Sequence, residues 1–136
     1  MARSVVRLER KRQLFAKLRR LVPAVEGALA TAAGQSANEM VGIARGFAPK
    51  RTGTLARAIY AQKVTGTATP VWKVAVDQGK GPTGVDAYYG FWVELATVDT
   101  PAQPFFFPAY RLVAKRHRSR VTRAINKEIR KLAVTR

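Results

Sequence analysis

Between Val5 and Phe47 the apolar residues Leu14, Leu18, Leu21, Val22, Val25, Leu29, Ala32, Met40, Ile43 and Phe47 recur at steps of three, four or seven. That spacing returns to one face of an α-helix, so the first part of the chain is committed to an amphipathic helix, or to two in line. Pro23 is the only breaker in the stretch. It either kinks one long helix or sits in the first turn of a second, where its missing N–H costs nothing. Gly27, Gly34, Gly42 and Gly46 each weaken a helix by up to ~1 kcal/mol, so the apolar face needs a packing partner. Ala48-Pro49 ends the helix, because the residue before proline is pushed out of the α region.

Beyond Pro49 the apolar period changes. Thr52-Gly53-Thr54 reads as a turn. In residues 58–64, Ile59 and Ala61 alternate with Tyr60 and Gln62; in 71–77, Trp72, Val74 and Val76 alternate with Lys73 and Asp77. Both patterns predict strands with one wet face, joined by a hairpin turn over 65–69, with Pro70 at a strand start. Gln78 to Gly84, with three glycines and Pro82, reads as a mobile loop. Residues 88–95 set Tyr89, Phe91, Val93 and Leu95 against Tyr88, Trp92 and Glu94, which predicts a third strand. A last helix is expected from Pro108 to Ala133, about 39 Å long. Its apolar side carries Ala109, Leu112, Val113, Val121, Ala124, Ile125, Ile129 and Leu132, and its other side is almost entirely Arg and Lys.

The expected fold class is therefore α+β. It has a long N-terminal helix with Pro23 as its kink point, a small antiparallel sheet of three or more strands, and a long C-terminal helix packed on the sheet. At 136 residues with 47% hydrophobic side chains, the chain suits one domain. Within it, 1–47 form a helical arm and helix, 55–97 the sheet, and 105–134 the C-terminal helix.

Charge is distributed unevenly. The chain has 25 Lys plus Arg against 8 Asp plus Glu, a formal net charge of +17. Residues 1–20 carry eight bases and one acid (+7), residues 111–136 ten bases and one acid (+9), and the 90 between them seven bases and six acids (+1). A near-neutral centre thus has two basic ends. Arg-rich helix faces can contact nucleic-acid phosphates, acidic protein neighbours or solvent. No helix-turn-helix pattern and no basic–aromatic interleaving on the strands marks a sequence-specific reader. The N-terminus lacks a secretory h-region, its apolar pattern runs on where a transit peptide would stop, and no window of apolar residues is long enough to span a membrane.

Catalytic constellations are absent from the sequence. There is no cysteine and only one histidine, which removes thiolate chemistry and Cys- or His-rich metal sites. Asp77, Asp86, Glu94 and Asp99 have no diagnostic spacing. His117 lies four residues from both Val113 and Val121, and reads as a packed or interface histidine. No catalytic residue, metal or cofactor is expected. The aromatic cluster Tyr88, Tyr89, Phe91, Trp92, Phe105, Phe106 and Phe107 is first of all core material. Three consecutive phenylalanines cannot all point inward from so small a domain, so at least one belongs at a contact surface.

Three motifs in order, Ala48-Pro49-Lys50-Arg51-Thr52-Gly53-Thr54-Leu55, Tyr89-Gly90-Phe91-Trp92-Val93-Glu94-Leu95-Ala96-Thr97 and Pro101-Ala102-Gln103-Pro104-Phe105-Phe106-Phe107-Pro108-Ala109, resemble those of a family of phage tail-completion (head–tail joining) proteins, named after gene product ten of a lambdoid siphophage. Its patterns are "A-P-x-x-T-G-x-L", "Y-x-x-x-V-E-x-G-T" and "P-A-x-P-F-x-x-P-A". Ala96 replaces the family glycine, so a conventional backbone is expected there. The matching positions are Pro49, Thr52, Gly53, Leu55, Tyr89, Val93, Glu94, Thr97, Pro104, Phe105, Pro108 and Ala109. Glu94, a lone acid in an apolar stretch, is expected to pair with a base such as Arg57 or with a neighbouring subunit.

The resemblance implies a homo-oligomeric ring, a hexamer, at the head–tail junction or at the tail's upper end, in a phage virion, prophage product or phage-derived particle, assembled in the host cytoplasm. It also implies contact with neighbouring head-completion (connector) and tail-tube proteins, and a channel for DNA. Phe105, Phe106, Phe107, Trp92, Arg116, Arg120 and Arg123 are the candidate subunit or partner interface. A strongly basic bore would hold its DNA, so most basic side chains are expected to face acidic neighbours or solvent. The competing expectation is a stand-alone basic nucleic-acid-binding protein.

Overall fold

Pro23 does not divide the first helix: α1 runs from Ala2 to Phe47 with the proline inside it. The structure, a computed structural model, describes residues 2–134 and side chains from residue 11 onward. Pro23 removes one intrahelical hydrogen bond, and it sits where α1 is exposed to water that can serve the freed carbonyl. The buried face of α1 is built from small residues. Ala32, Ser36, Met40 and Ala44 recur every four positions, flanked by Ala37 and Val41, and Ala48 continues the series just past the helix end. Phe47, expected on this face, is instead exposed, because the buried stripe steps by four through Met40, Ala44 and Ala48 and leaves position 47 to one side of it.

Gly53, at φ 71°, turns the chain out of α1 into a short helix α2, Thr54–Ala58. A residue with a side chain is strained at that angle, which explains the glycine. Thr52 Oγ1 donates to Thr54 Oγ1 at 2.9 Å and secures the turn. Strands β1 (Ile59–Val64) and β2 (Val71–Val76) then pair antiparallel, from Ile59 opposite Val76 to Val64 opposite Val71. This hairpin, with Pro70 just before β2, matches the alternation in the sequence. The α1 helix packs against the hairpin: Arg45 donates to the Ile59 carbonyl at 2.7 Å, and the Trp72 indole N–H donates to the Ala30 carbonyl at 3.2 Å.

The sheet has two strands among the described residues. The expected third strand is instead a helix, α3, Gly90–Leu95, so the sheet region ends at Val76 and not at residue 97. Short aromatic runs satisfy both periods. Residues four apart share a face in either period, so the backbone decides: the Val93 N–H donates to the Tyr89 carbonyl at 3.1 Å and the Ala96 N–H to the Trp92 carbonyl at 2.9 Å, with Gly90 and Glu94 turned inside. Gly90 is held tightly: a Cβ there would lie 3.0 Å from Leu55 Cδ1.

The last helix, α4, spans Phe106–Val134 and begins two residues before Pro108. It lies antiparallel to α1, since Ser36 meets Arg120 and the later Glu39 meets the earlier Arg116. Between α1, the hairpin and the start of α4 sits the core, with Ile59, Phe105 and Ala109 almost fully enclosed. Among the described residues no helix is long and apolar enough to cross a membrane.

Candidate assembly interface

The three motifs, far apart in sequence, meet around one groove of about 570 Å³. Pro49, Thr52 and Leu55 line it from the first, Val93 of α3 and the N-cap residue Tyr89 from the second, and Pro101 with Gln103 from the segment leading into α4. That segment is tied to α3 by the Gln103 N–H, which donates to the Val93 carbonyl at 2.9 Å.

Glu94 makes the second tie, and it is not the expected one. Its carboxylate is buried and accepts the backbone N–H groups of Phe105 (2.8 Å), Phe106 (2.9 Å) and Phe107 (3.0 Å). A helix leaves four N-terminal N–H groups without an intrahelical acceptor. At α4, Glu94 takes three of them and the next residue, Pro108, has none to offer. Glu94 therefore caps a helix end, where the macrodipole also favours its charge, in place of pairing with Arg57.

Ala96 departs from expectation too. Its backbone takes φ 78° and ψ 163°, a region nearly reserved for glycine. The conformation is imposed from both sides: its N–H closes α3 on the Trp92 carbonyl at 2.9 Å, and the next residue, Thr97, donates its N–H to the Thr100 carbonyl at 3.0 Å. Thr97 and Pro104 are both exposed.

The loop after β2 is organised rather than loose. Asp77, expected on the wet face, is buried, and its carboxylate accepts from the N–H of Gly81 (2.6 Å), Thr83 (2.9 Å) and Gly84 (3.1 Å) and from the Thr83 hydroxyl (2.7 Å). The Thr83 hydroxyl, with the backbone donors after it, holds the Asp77 carboxyl below its usual range against the opposing effect of burial. A Cβ at Gly81 would lie 2.7 Å from that carboxylate.

Around α3 and the start of α4 an aromatic surface is left uncovered. Phe105 is core, but Phe107 is 53% exposed, Phe91 60%, Trp92 52% and Tyr110 56%, with Tyr88 and Leu95 also exposed. Tyr88, Phe91, Leu95, Phe106 and Phe107 border a second groove of about 380 Å³.

Comparison with known protein families, curated proteins and solved structures returns no match.

Of the three candidate arginines, two form ion pairs inside the chain. Arg116 and Arg120 both pair with Glu39, at 2.5 and 2.8 Å, and Arg120 also donates to Ser36 Oγ at 2.6 Å. Arg120, then Arg116, hold the Glu39 carboxyl below its ordinary range. His117 Nδ1 lies 3.0 Å from the same Ser36 Oγ. Because the Ser36 hydroxyl donates to the Ala32 carbonyl at 3.0 Å, its oxygen is left to accept from Arg120 and from a Nδ1-protonated His117. Arg123 is exposed and folds back on the Ser119 carbonyl at 3.2 Å. Sequence reasoning missed Ser36, Glu39 and the Asp77–Thr83 cluster. Glu39 is the sole acid between Glu26 and Asp77, and that isolation in a basic chain is the signal that marks it.

Proposed function

We propose that this chain is a structural protein of a tailed-phage virion or phage-derived particle, one protomer of a ring at the head–tail junction that keeps a channel open for DNA. The observation that carries the reading is the exposure of Phe91 and Trp92 on α3 and of Phe107 and Tyr110 on the first turns of α4, with Phe91 and Phe107 bordering one groove. A patch of large rings at this density marks a surface that other protein covers. The resemblance to the tail-completion family supplies the setting: copies of the same chain, six to a ring, with head-completion and tail-tube proteins above and below. No step of this role needs a catalytic residue or a cofactor.

Light scattering after size exclusion, on the protein alone and mixed with its neck partners, tests the proposal. Rings larger than a dimer are expected. A monomer at every concentration and with every partner would overturn it.

A second reading rests on Arg111, Lys115, Arg118, Lys127 and Arg130, all exposed along α4. These side chains suit contact with duplex phosphates, and such binding falls steeply with salt. Absence of DNA binding at low salt removes this reading.

A further inference from the structure

The α1 helix is longer than anything it packs against. From Arg120, which faces Ser36, α4 continues 14 residues to Val134, about 21 Å at 1.5 Å per residue, and so ends beside residue 22 of α1. Upstream of that point every residue from Lys11 to Arg20 is exposed. This projecting arm is not polar all round. Leu14, Phe15, Leu18 and Val22 are each exposed, at the i, i+4 and i+8 and the i, i+3 and i+7 spacings of a helix that lays one face into a groove. Lys11, Arg12, Lys17, Arg19 and Arg20 accompany them, with no acid between residues 11 and 22.

The aromatic groove is lined by no Lys or Arg. Residues 81–110, which form α3 and the approach to α4, contain Asp86, Glu94 and Asp99 and no Lys or Arg. Asp86 and Asp99 are exposed. The basic apolar arm and this groove, which no Lys or Arg lines and which the exposed Asp86 adjoins through Ala87 and Tyr88, are complementary in charge and in hydropathy. They cannot meet within one chain. Leu14 is 30 residues upstream of Ala44, which packs in the core with Phe105, and a continuous helix of that length holds them about 45 Å apart.

We propose that the 11–22 arm of one copy docks into the groove bordered by Phe91, Leu95 and Phe107 of the next copy. The contact uses two different surfaces, so it is head-to-tail, and repeated with a closing rotation it generates a ring. The inference deepens the ring reading and rests on it for closure, while the arm–groove contact has its own readouts.

The experiment uses the full chain. L14D/L18D spoils the arm and F91D/F107D spoils the groove; neither pair lies in the buried core. Each variant alone is expected to be monomeric, with self-association weakened at least ~100-fold, as for loss of central apolar anchors. Mixed one to one, they should stop at a heterodimer, since one intact arm meets one intact groove. Because the chain has no cysteine, Phe15→Cys and Leu95→Cys copies can be mixed and oxidised, and a disulfide between the two kinds of copy is expected. Circular dichroism of each variant must match the parent.

If the parent forms rings and both variants form the same rings, the docking inference is overturned and the ring reading stands. A dimer or fibre with the cross-link keeps the contact and overturns the closed ring. A monomer under all conditions overturns both. If the arm instead binds duplex DNA, equally well with and without L14D/L18D, and no cross-link forms, its occupant is nucleic acid and the inference is overturned.

Discussion

The Glu94 carboxylate accepts the Phe105 N–H at 2.8 Å and thereby joins α3 to the start of α4. With the Phe106 and Phe107 bonds it satisfies every donor that the first turn presents. Glu94→Ala leaves three amides without their acceptor and is expected to cost about 2–3 kcal/mol. Glu94→Gln keeps an acceptor oxygen but loses the charge, and should cost about 1 kcal/mol. Urea unfolding of both variants checks this, with Arg57→Ala as a contrast. If Glu94 acted through an ion pair with Arg57, that variant would fall by a comparable amount; as a cap, it leaves Arg57→Ala close to the parent.

Ala96 sits where glycine belongs. At φ 78° and ψ 163°, the Cβ of alanine is strained by about 1–3 kcal/mol. Ala96→Gly removes that strain at the expense of a more flexible unfolded chain, so a net gain of about 1 kcal/mol is expected. The measurement is the shift in urea midpoint at constant slope. An unchanged or lowered midpoint would show that the backbone relaxes around alanine.

The fold was legible in the sequence wherever its signals were local. The hairpin was readable because its alternation, turn residues and Pro70 lie within a few positions of one another. Both long helices were readable because their spacing persists over many turns. The third strand failed on Tyr88 to Leu95, a run too short to separate a period of two from one of 3.6. The deciding contact is non-local: as a helix, this segment delivers Glu94 to amides that enter the structure eleven residues later. Similarly, nothing near Asp77 announces its burial, although a Gly four and a Thr six residues on are the donors an Asp-centred loop needs. The groove was legible only as three separate motifs; its existence as one surface required the fold.

Acid should loosen the molecule through two carboxylates. Asp77 is held low by the Thr83 hydroxyl and then by backbone N–H groups, and Glu39 by Arg120 and Arg116. A depressed folded-state value contributes stability that is present above the unfolded value, ~4 for these side chains, and is lost as pH falls through the folded one. The urea midpoint is therefore expected to hold from neutral pH down to about pH 5 and to fall progressively below about pH 4. Thr83→Ala should shrink the fall relative to the parent, and Asp77→Asn should lower stability at neutral pH while flattening the same limb. Parallel curves for parent and Thr83→Ala would show that the Thr83 hydroxyl does not set the Asp77 titration.

Two glycines of α1 should respond oppositely to the same change. A Cβ at Gly34 would lie 2.9 Å from Trp72 Cζ2 and 3.1 Å from Cε2, whereas at Gly42 nothing lies within 4 Å. The indole cannot easily retreat, because its N–H is bonded to the Ala30 carbonyl, one turn before Gly34 on the same helix. Gly34→Ala therefore pushes α1 from β2 or breaks that hydrogen bond. It is expected to lose about 1–3 kcal/mol from overpacking, offset in part by the ~1 kcal/mol that alanine adds to a helix. Gly42→Ala meets no neighbour and keeps the whole helix gain, about 1 kcal/mol. Urea unfolding of the two variants, monitored by Trp fluorescence, gives both signs in one experiment, and two gains of equal size would mean that α1 does not bear on Trp72.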